Sequence, residues 1–335
     1  MRRSGPASGL DLRTNAVEAD QQRRDGLAVV DKAAGWTSHD VVAKARGILH
    51  NKKIGHSGTL DPDATGVLLL GVGRATRLLR FLTALPKSYV GEIVLGTETT
   101  TLDSSGDVVA TYAMGQVTLE QAQAAAVGLT GAILQIPPMV SAVKIDGKRL
   151  HDLARQGIEV ERQPRPVTVH RFSLTEIEGQ PGVLRAEVDC SSGTYVRTLA
   201  HDLGHALGGG AHLRNLRRTA IGSFTLADAQ PLDELVVRPI AEVMRDYPSV
   251  VAGPEVAVAV GHGKVLSRAD LGLAEAGQPR DQAAEQAADQ AGGGPGADGP
   301  WAVVATDGSL LAVYEAHRGE TVKPAVVVAP AGGGG

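Results

Sequence analysis

Cysteine is nearly missing from this chain of 335 residues: Cys190 stands alone, so no disulfide can close within it and a reducing compartment is expected. Aromatics are scarce too, with five Tyr, three Phe and two Trp, so any one of them carries weight where a stacking surface is needed. No uninterrupted apolar run approaches the roughly 18 residues of a membrane span. The basic start, MRRSGPASGL, has no apolar stretch behind it; residues 1–25 read as a disordered polar leader, not a secretory signal. These absences point to a cytoplasmic protein with no membrane partner. What remains is a composition typical of soluble globular proteins, 43% hydrophobic and 21% charged, with length enough for two domains.

A net charge of −4 speaks at first against a nucleic-acid partner. The charge is unevenly spread. Residues 1–250 carry 28 basic and 27 acidic side chains, whereas residues 251–335 carry 5 and 10. The main body is therefore near neutral, and the placement of its basic groups decides the question.

The stretch LAVVDKAAGWTSHDVVAKARGIL predicts a strand, a turn at Gly35 and a helix opened by a Thr37–Asp40 capping box. A loop over 51–66 precedes an apolar strand at 67–72 and a basic helix, RATRLLRFL. KSYVGEIVLG alternates as a strand does, TLEQAQAAAVGL is helical, and the chain turns at Asp146-Gly147 into a helix. Strands near 167–174, 184–190 and 213–221 accompany a helix at 194–207. Many strands without regular β–α alternation predict the α+β class. After Pro248 the composition shifts. WAVVATDGSLLAVYEA reads as strand, Asp-Gly turn, strand, and belongs with VAVAVGHGKVL to a small β domain. Residues 272–300, rich in Gly, Ala and Gln, interrupt that domain and lack the apolar content to fold alone.

Residues 55–66, GHSGTLDPDATG, place Asp61 where no regular element can form. Asp-Pro commonly opens a turn, and capping it is a sufficient role for Asp61. An acid/base pair of Asp61 and Asp63, as in a carbohydrate hydrolase, is a weaker reading. Residues two apart in a turn seldom face one cleft at the needed separation. Gly71 and Gly73 could cradle a phosphate, but the flanking pattern of a dinucleotide or P-loop site is missing, which favours a tight turn. His56, Tyr89 and Tyr195 each read as structural when taken singly. Arg197 falls at a helix start, where it could keep a buried carboxylate ionised. Basic clusters occur at Lys52-Lys53, at Arg74, Arg77 and Arg80, at Lys144, Lys148 and Arg149, and at Arg214, Arg217 and Arg218. Singly each is a solvated face; together they suit phosphate contacts. No metal-ligand cluster is read from the sequence.

Taken together, DKAAGWTSHDVV, KIGHSGTLDPDATGVLLLGVGRATR, KSYVGEIVLG, QIPPMVSAVKIDGKRLHDLARQGIEV, CSSGTYVRTLAHDLG and AHLRNLRRTAIGSF resemble the bacterial tRNA pseudouridine-55 synthases, in order and spacing, over most of 27–225. Ser57 stands where that family usually has Thr, and Thr100 where it often has an acidic residue.

The resemblance implies a mixed, largely antiparallel sheet with flanking helices over 26–248, an RNA-binding insertion near 135–165, and a small β-rich PUA-like domain over 249–335. It implies conversion of uridine 55 in the tRNA T-loop to pseudouridine, with Asp61 as nucleophile, Tyr89 stacked on the flipped base, and Tyr195 and Arg197 completing the site. His56 would contact the RNA loop, Leu216 line the pocket and Lys32 stand at its edge. Lys53, Lys144 and Arg149 are the basic residues expected on the RNA backbone. The T-arm is the expected partner of a monomer, and an isomerisation needs no cofactor or metal. A non-catalytic RNA-binding or RNA-folding protein and the carboxylate-pair hydrolase are the competing classes.

Overall fold

The computed structural model describes residues 25–141, 144–145, 148–149, 158, 160–273 and 299–329. Nearly all of the expected leader, the bulk of the 272–300 insertion and the helix after Asp146-Gly147 lie outside the described residues.

Strand β1 (Gly26–Lys32) is buried along almost its whole length, as a strand covered on both faces must be. Helix α1 (Ser38–Ile48) follows with the predicted capping box: the Asp40 amide donates to Thr37 Oγ1 (3.1 Å) and the Thr37 amide to Asp40 Oδ2 (2.9 Å). Strands β2 (Ile54–His56) and β3 (Thr65–Val72) flank the Asp61 loop. The basic helix is divided, a 3₁₀ turn over Gly73–Leu78 running into α2 (Leu79–Ala84). Next come β4 (Lys87–Leu95), a hairpin of β5 (Thr97–Thr99) and β6 (Val108–Thr111), α3 (Leu119–Val127) and β7 (Gly131–Gln135). A two-residue hairpin, β8 (Lys144–Ile145) with β9 (Lys148–Arg149), precedes the long pair β10 (Arg165–Glu176) and β11 (Val183–Cys190). Helix α4 (Val196–Ala206), β12 (Ala211–Ile221), β13 (Phe224–Thr225) and β14 (Arg238–Pro239) complete this part.

The main sheet runs β14-β1-β3-β12-β4-β11-β10-β7, with β2 on β3 and β13 on β12. Every pairing is antiparallel except β3 with β12, where Arg217 faces Thr65 and Arg218 faces Gly66. That parallel contact is close. Gly66 has φ 103°, and a Cβ there would lie 2.1 Å from the Arg218 carbonyl, so only glycine fits.

The C-terminal part begins with β15 (Ser249–Val251) and α5 (Pro254–Gly261), followed by β16 (Leu266–Ser267), β17 (Trp301–Val304), β18 (Leu310–Ala316) and β19 (Thr321–Val327). Its five strands are ordered β15-β17-β18-β19-β16, and the predicted Asp-Gly hairpin is the β17–β18 pair. VAVAVG differs from expectation: it is helical. Gly253 caps the segment and Pro254 begins it with a fixed φ and no N–H to orphan, which favours a helix start over the alternation of Val and Ala. One apolar cluster joins both sheets, packing Ala302, Leu310, Val313 and Val328 with Leu78, Phe81 and Leu82. Among the described residues no helix is long and apolar enough to cross a membrane.

Candidate active site

Between β2 and β3 the chain has no regular hydrogen bonding of its own, yet it is held at nearly every residue. Leu60 exchanges bonds with the Ser38 hydroxyl, its amide donating (2.9 Å) and its carbonyl accepting (3.3 Å). The Pro62 carbonyl accepts from the Gly35 amide (3.0 Å) and from Lys32 Nζ (2.9 Å). Lys32 also donates to the carbonyls of Ala33 (3.0 Å) and Trp36 (2.6 Å), so all three ammonium protons are spent on backbone. Arg218, 1% exposed, donates to the carbonyl of Val67 (2.7 Å) and reaches those of Thr59 (3.5 Å) and Gly58 (3.4 Å). With Leu60 and Ala64 buried as apolar anchors and Thr59, Pro62 and Asp63 exposed, the half-buried Asp61 carboxylate is turned towards a cavity.

That cavity measures about 290 Å³, and its walls include Tyr89 from β4, Tyr195 and Arg197 at the start of α4, and Leu216 and Arg218 from β12. Leu216 owes its aim to a bulge: the β12–β4 register shifts between Arg214 and Arg217, with Asn215 at φ 52°. Tyr195 is set by a side-chain clamp. Gln135 at the end of β7 accepts from the Tyr195 amide (2.7 Å) and donates to its carbonyl (3.1 Å), fixing the residue that caps the helix. Burial pushes the Tyr89 phenol above its ordinary pKa, so it stays protonated and apolar in character.

Arg197 is 6% exposed on its side chain and shared among five acceptors. Its Nε lies 3.0 Å from Asp61 Oδ2 and 3.6 Å from Asp103 Oδ2, and Nη2 lies 3.3 Å from Asp61 Oδ1. The carbonyls of Thr101 (2.9 Å) and Val140 (2.8 Å) take its remaining donors. The guanidinium pulls the Asp61 pKa down, as anticipated, but it does not win. Desolvation is the larger effect and Asp103 adds repulsion, so the Asp61 pKa is raised overall.

Lys32, His56 and Lys53 do not line the cavity. Lys32 lies beneath the loop, not at the pocket edge, and burial lowers its pKa to about 8. His56 is half-buried, edge-on to His39 at 5.3 Å between ring centres; burial and His39 lower its pKa and keep it neutral near pH 7. Lys53 is exposed just ahead of β2, and Lys144 and Arg149 face each other in the backbone register of the short hairpin. Several arginines read as phosphate contacts have carboxylate partners instead: Arg74 with Asp25, Arg80 with Glu315 (2.7 Å), Arg214 with Glu92 (2.6 Å) and Arg217 with Asp31 (2.6 Å). Lys87, Asp103 and Gln135 were not singled out by sequence. Lys87 lines the cavity with two of its protons on the Thr83 and Leu85 carbonyls (2.6 Å each), and burial lowers its pKa to about 8.

Comparison with solved structures defines the fold. A chain of the Cbf5-Nop10-Gar1 complex superposes with a TM-score of 0.66 at 24% identity, covering 93% of this chain and 87% of its own. A chain of an H/ACA RNP bound to a substrate RNA containing 2′-deoxyuridine gives 0.64 at 22%, covering 98% and 92%. Sequence comparison then fixes the family. Residues 46–196 match the TruB family pseudouridylate synthase N-terminal domain, and 197–242 the tRNA pseudouridylate synthase B C-terminal domain. The tRNA pseudouridine synthase B of Arthrobacter sp. (strain FB24) is 42% identical over 314 residues, 91% of this chain and 97% of that one. That of Mycobacterium sp. (strain KMS) is 44% identical over 308 residues, with the same two coverages. The chain belongs to the TruB family of pseudouridylate synthases.

Proposed function

We propose that this enzyme isomerises uridine 55 in the T-loop of tRNA, using Asp61 as its nucleophile on a base flipped into the cavity. The observation that carries the reading is the Asp61 carboxylate, held at the cavity wall by an otherwise backbone-anchored loop and paired with Arg197 at 3.0 Å. The name shared by the relatives, tRNA pseudouridine synthase B, supports tRNA as the substrate.

The reaction breaks the bond from ribose C1′ to N1, turns the uracil, joins C1′ to C5, releases the C5 proton and leaves a proton on N1, so that no atom is gained or lost. Asp61 attacks carbon in its ionised form, so the raised pKa places an acid limb on the rate: activity falls as pH falls through that pKa. Unstacking the base costs roughly a few kcal/mol, and stacking on an aromatic returns about 1–3 kcal/mol. Tyr89 is the stacking partner in this reading, Tyr195 and Leu216 close the pocket, and His56 meets the RNA outside it. The cavity lies near the lower end of the roughly 300–1,000 Å³ of small-ligand sites, a size for one base and not for a run of sugar residues.

Tritium release from a T-arm transcript labelled at C5 of uridine tests this. Wild type is expected to release tritium. Asp61→Asn should slow release at least about 10³-fold with RNA affinity nearly intact, and Asp63→Asn should change little. Equal release by Asp61→Asn would sink the nucleophile assignment. No release by wild type would overturn the isomerase reading and leave the RNA-binding protein or, where RNA is not bound either, the carboxylate-pair hydrolase.

A further inference from the structure

The face of α4 that carries Arg197 continues past the cavity. Residues four apart share one face of a helix, so His201 and His205 follow Arg197 along it. Opposite them lies Glu98 of β5. Its Oε1 is 3.8 Å from His201 Nε2 and in hydrogen-bond contact with His205 Nε2. The candidate donor atoms of all three residues lie within 4.8 Å of one another, and the two rings are 4.2 Å apart. The two histidines are four apart on one helix, but Glu98 joins them only through the fold, so no local pattern marks the group.

We propose that Glu98, His201 and His205 bind a divalent transition-metal ion, with Zn²⁺ the best match to the donors, and that the ion fastens the 97–111 hairpin to α4. Two imidazoles and one carboxylate are a donor set that zinc commonly takes, with a fourth position left for water. The outer groups already aim the donors. Asp202 Oδ1 is 3.1 Å from His201 Nδ1, which turns Nε2 towards Glu98. The Tyr112 hydroxyl donates to Glu98 Oε2 (3.1 Å), which leaves Oε1 facing the histidines. Gly210 makes room for this: a Cβ there would lie 2.5 Å from both Glu98 Cγ and Tyr112 Cε2.

Size agrees with the donor chemistry. Zinc bonds of about 2.0–2.1 Å put tetrahedral donors about 3.3 Å apart. The His201–Glu98 separation is close to that, and His205, with a side chain 51% exposed, is free to withdraw slightly from its hydrogen bond as an ion enters. A hydrogen bond alone needs one imidazole; here both Nε2 atoms converge on the same carboxylate oxygen. The hairpin so fastened supplies the Thr101 carbonyl and the Asp103 carboxylate that hold Arg197. The proposal is independent of which RNA the enzyme modifies.

The test uses the full-length chain without a histidine tag, stripped with a chelator and dialysed. Zn²⁺ uptake is measured by elemental analysis and calorimetry, and unfolding midpoints are recorded with and without Zn²⁺. Wild type should take up one Zn²⁺ per chain, and at ten times Kd its midpoint should rise by about 2–4 °C. His205→Gln, at an exposed position, should keep the metal-free midpoint and bind at least about tenfold more weakly, and Glu98→Gln should do the same. No stoichiometric uptake by wild type, or uptake by both variants equal to wild type, overturns the proposal.

Discussion

The two sheets treat buried charge differently. Among the described residues the main sheet and its helices bury four cations, Lys32, Lys87, Arg197 and Arg218, whereas the C-terminal part buries one, Arg268, lying 5.0 Å over the Trp301 ring. Burying a cation is unfavourable unless its protons are taken, and in the main sheet they are taken by backbone carbonyls at the cavity and beneath its loop, joined at Arg197 by the Asp61 and Asp103 carboxylates. The charges are concentrated where an irregular loop has to be held. The C-terminal sheet reaches order with an apolar cluster around Trp301, Val303 and Tyr314.

Breaking this contrast at Arg197 should have the largest effect. Arg197→Met leaves Asp61 and Asp103 facing each other without their cation, at a cost of about 3–5 kcal/mol in stability. It also raises the Asp61 pKa further. Tritium release should fall at least about 10²-fold, with the acid limb moved to higher pH. An unmoved acid limb would show that Arg197 does not control that carboxylate.

Lys32→Met should come next. Without its three donors the Pro62, Trp36 and Ala33 carbonyls lose their anchor, and release should slow by about 10-fold to 10²-fold with tRNA binding little changed. The wild-type pH profile gives a gentler version of the same change. Lys32 loses its proton near pH 8, so the rate should decline above that value. Stability should move the opposite way for this group. A lysine whose folded pKa is depressed adds stability as pH climbs from about 8 towards 10.5 and withdraws it as pH falls through about 8. A rate that stays flat to pH 9.5 would separate the Lys32 anchor from catalysis. The smallest effect is expected at Arg268→Leu, which should lower the unfolding midpoint while leaving the release rate within about twofold of wild type.

Local signals carried much of the fold. The Thr37–Asp40 box, the apolar run of β3, the alternation of β4 and the helix that starts near Arg197 are each written within a few neighbouring residues, and each element formed where its pattern stands. The Asp61–Arg197 pair was legible through the family's motifs. Asp103 was not: only the β5–β6 hairpin brings it to Arg197, and no local pattern marks that contact. The acceptors of Lys32 and Arg218 are backbone carbonyls, which every residue possesses, so no side chain in the sequence announces them. The helix at Pro254–Gly261 was obscured for another reason, its alternating valines outweighed by the start signal ahead of them.

The apolar cluster that joins the two sheets makes the C-terminal part a fixed arm and not a tethered one. Phe81 and Leu78 sit under Ala302, Leu310 and Val328, the Tyr247 hydroxyl donates to the Phe81 carbonyl (2.7 Å), and Arg80 reaches Glu315 across the seam. A chain cut after Pro248 would leave that apolar surface bare on both pieces. An arm seated in this way acts as a gauge: the span from the Asp61 cavity to any point on the second sheet is set by packing, and a substrate touching both must present its two contacts at that spacing.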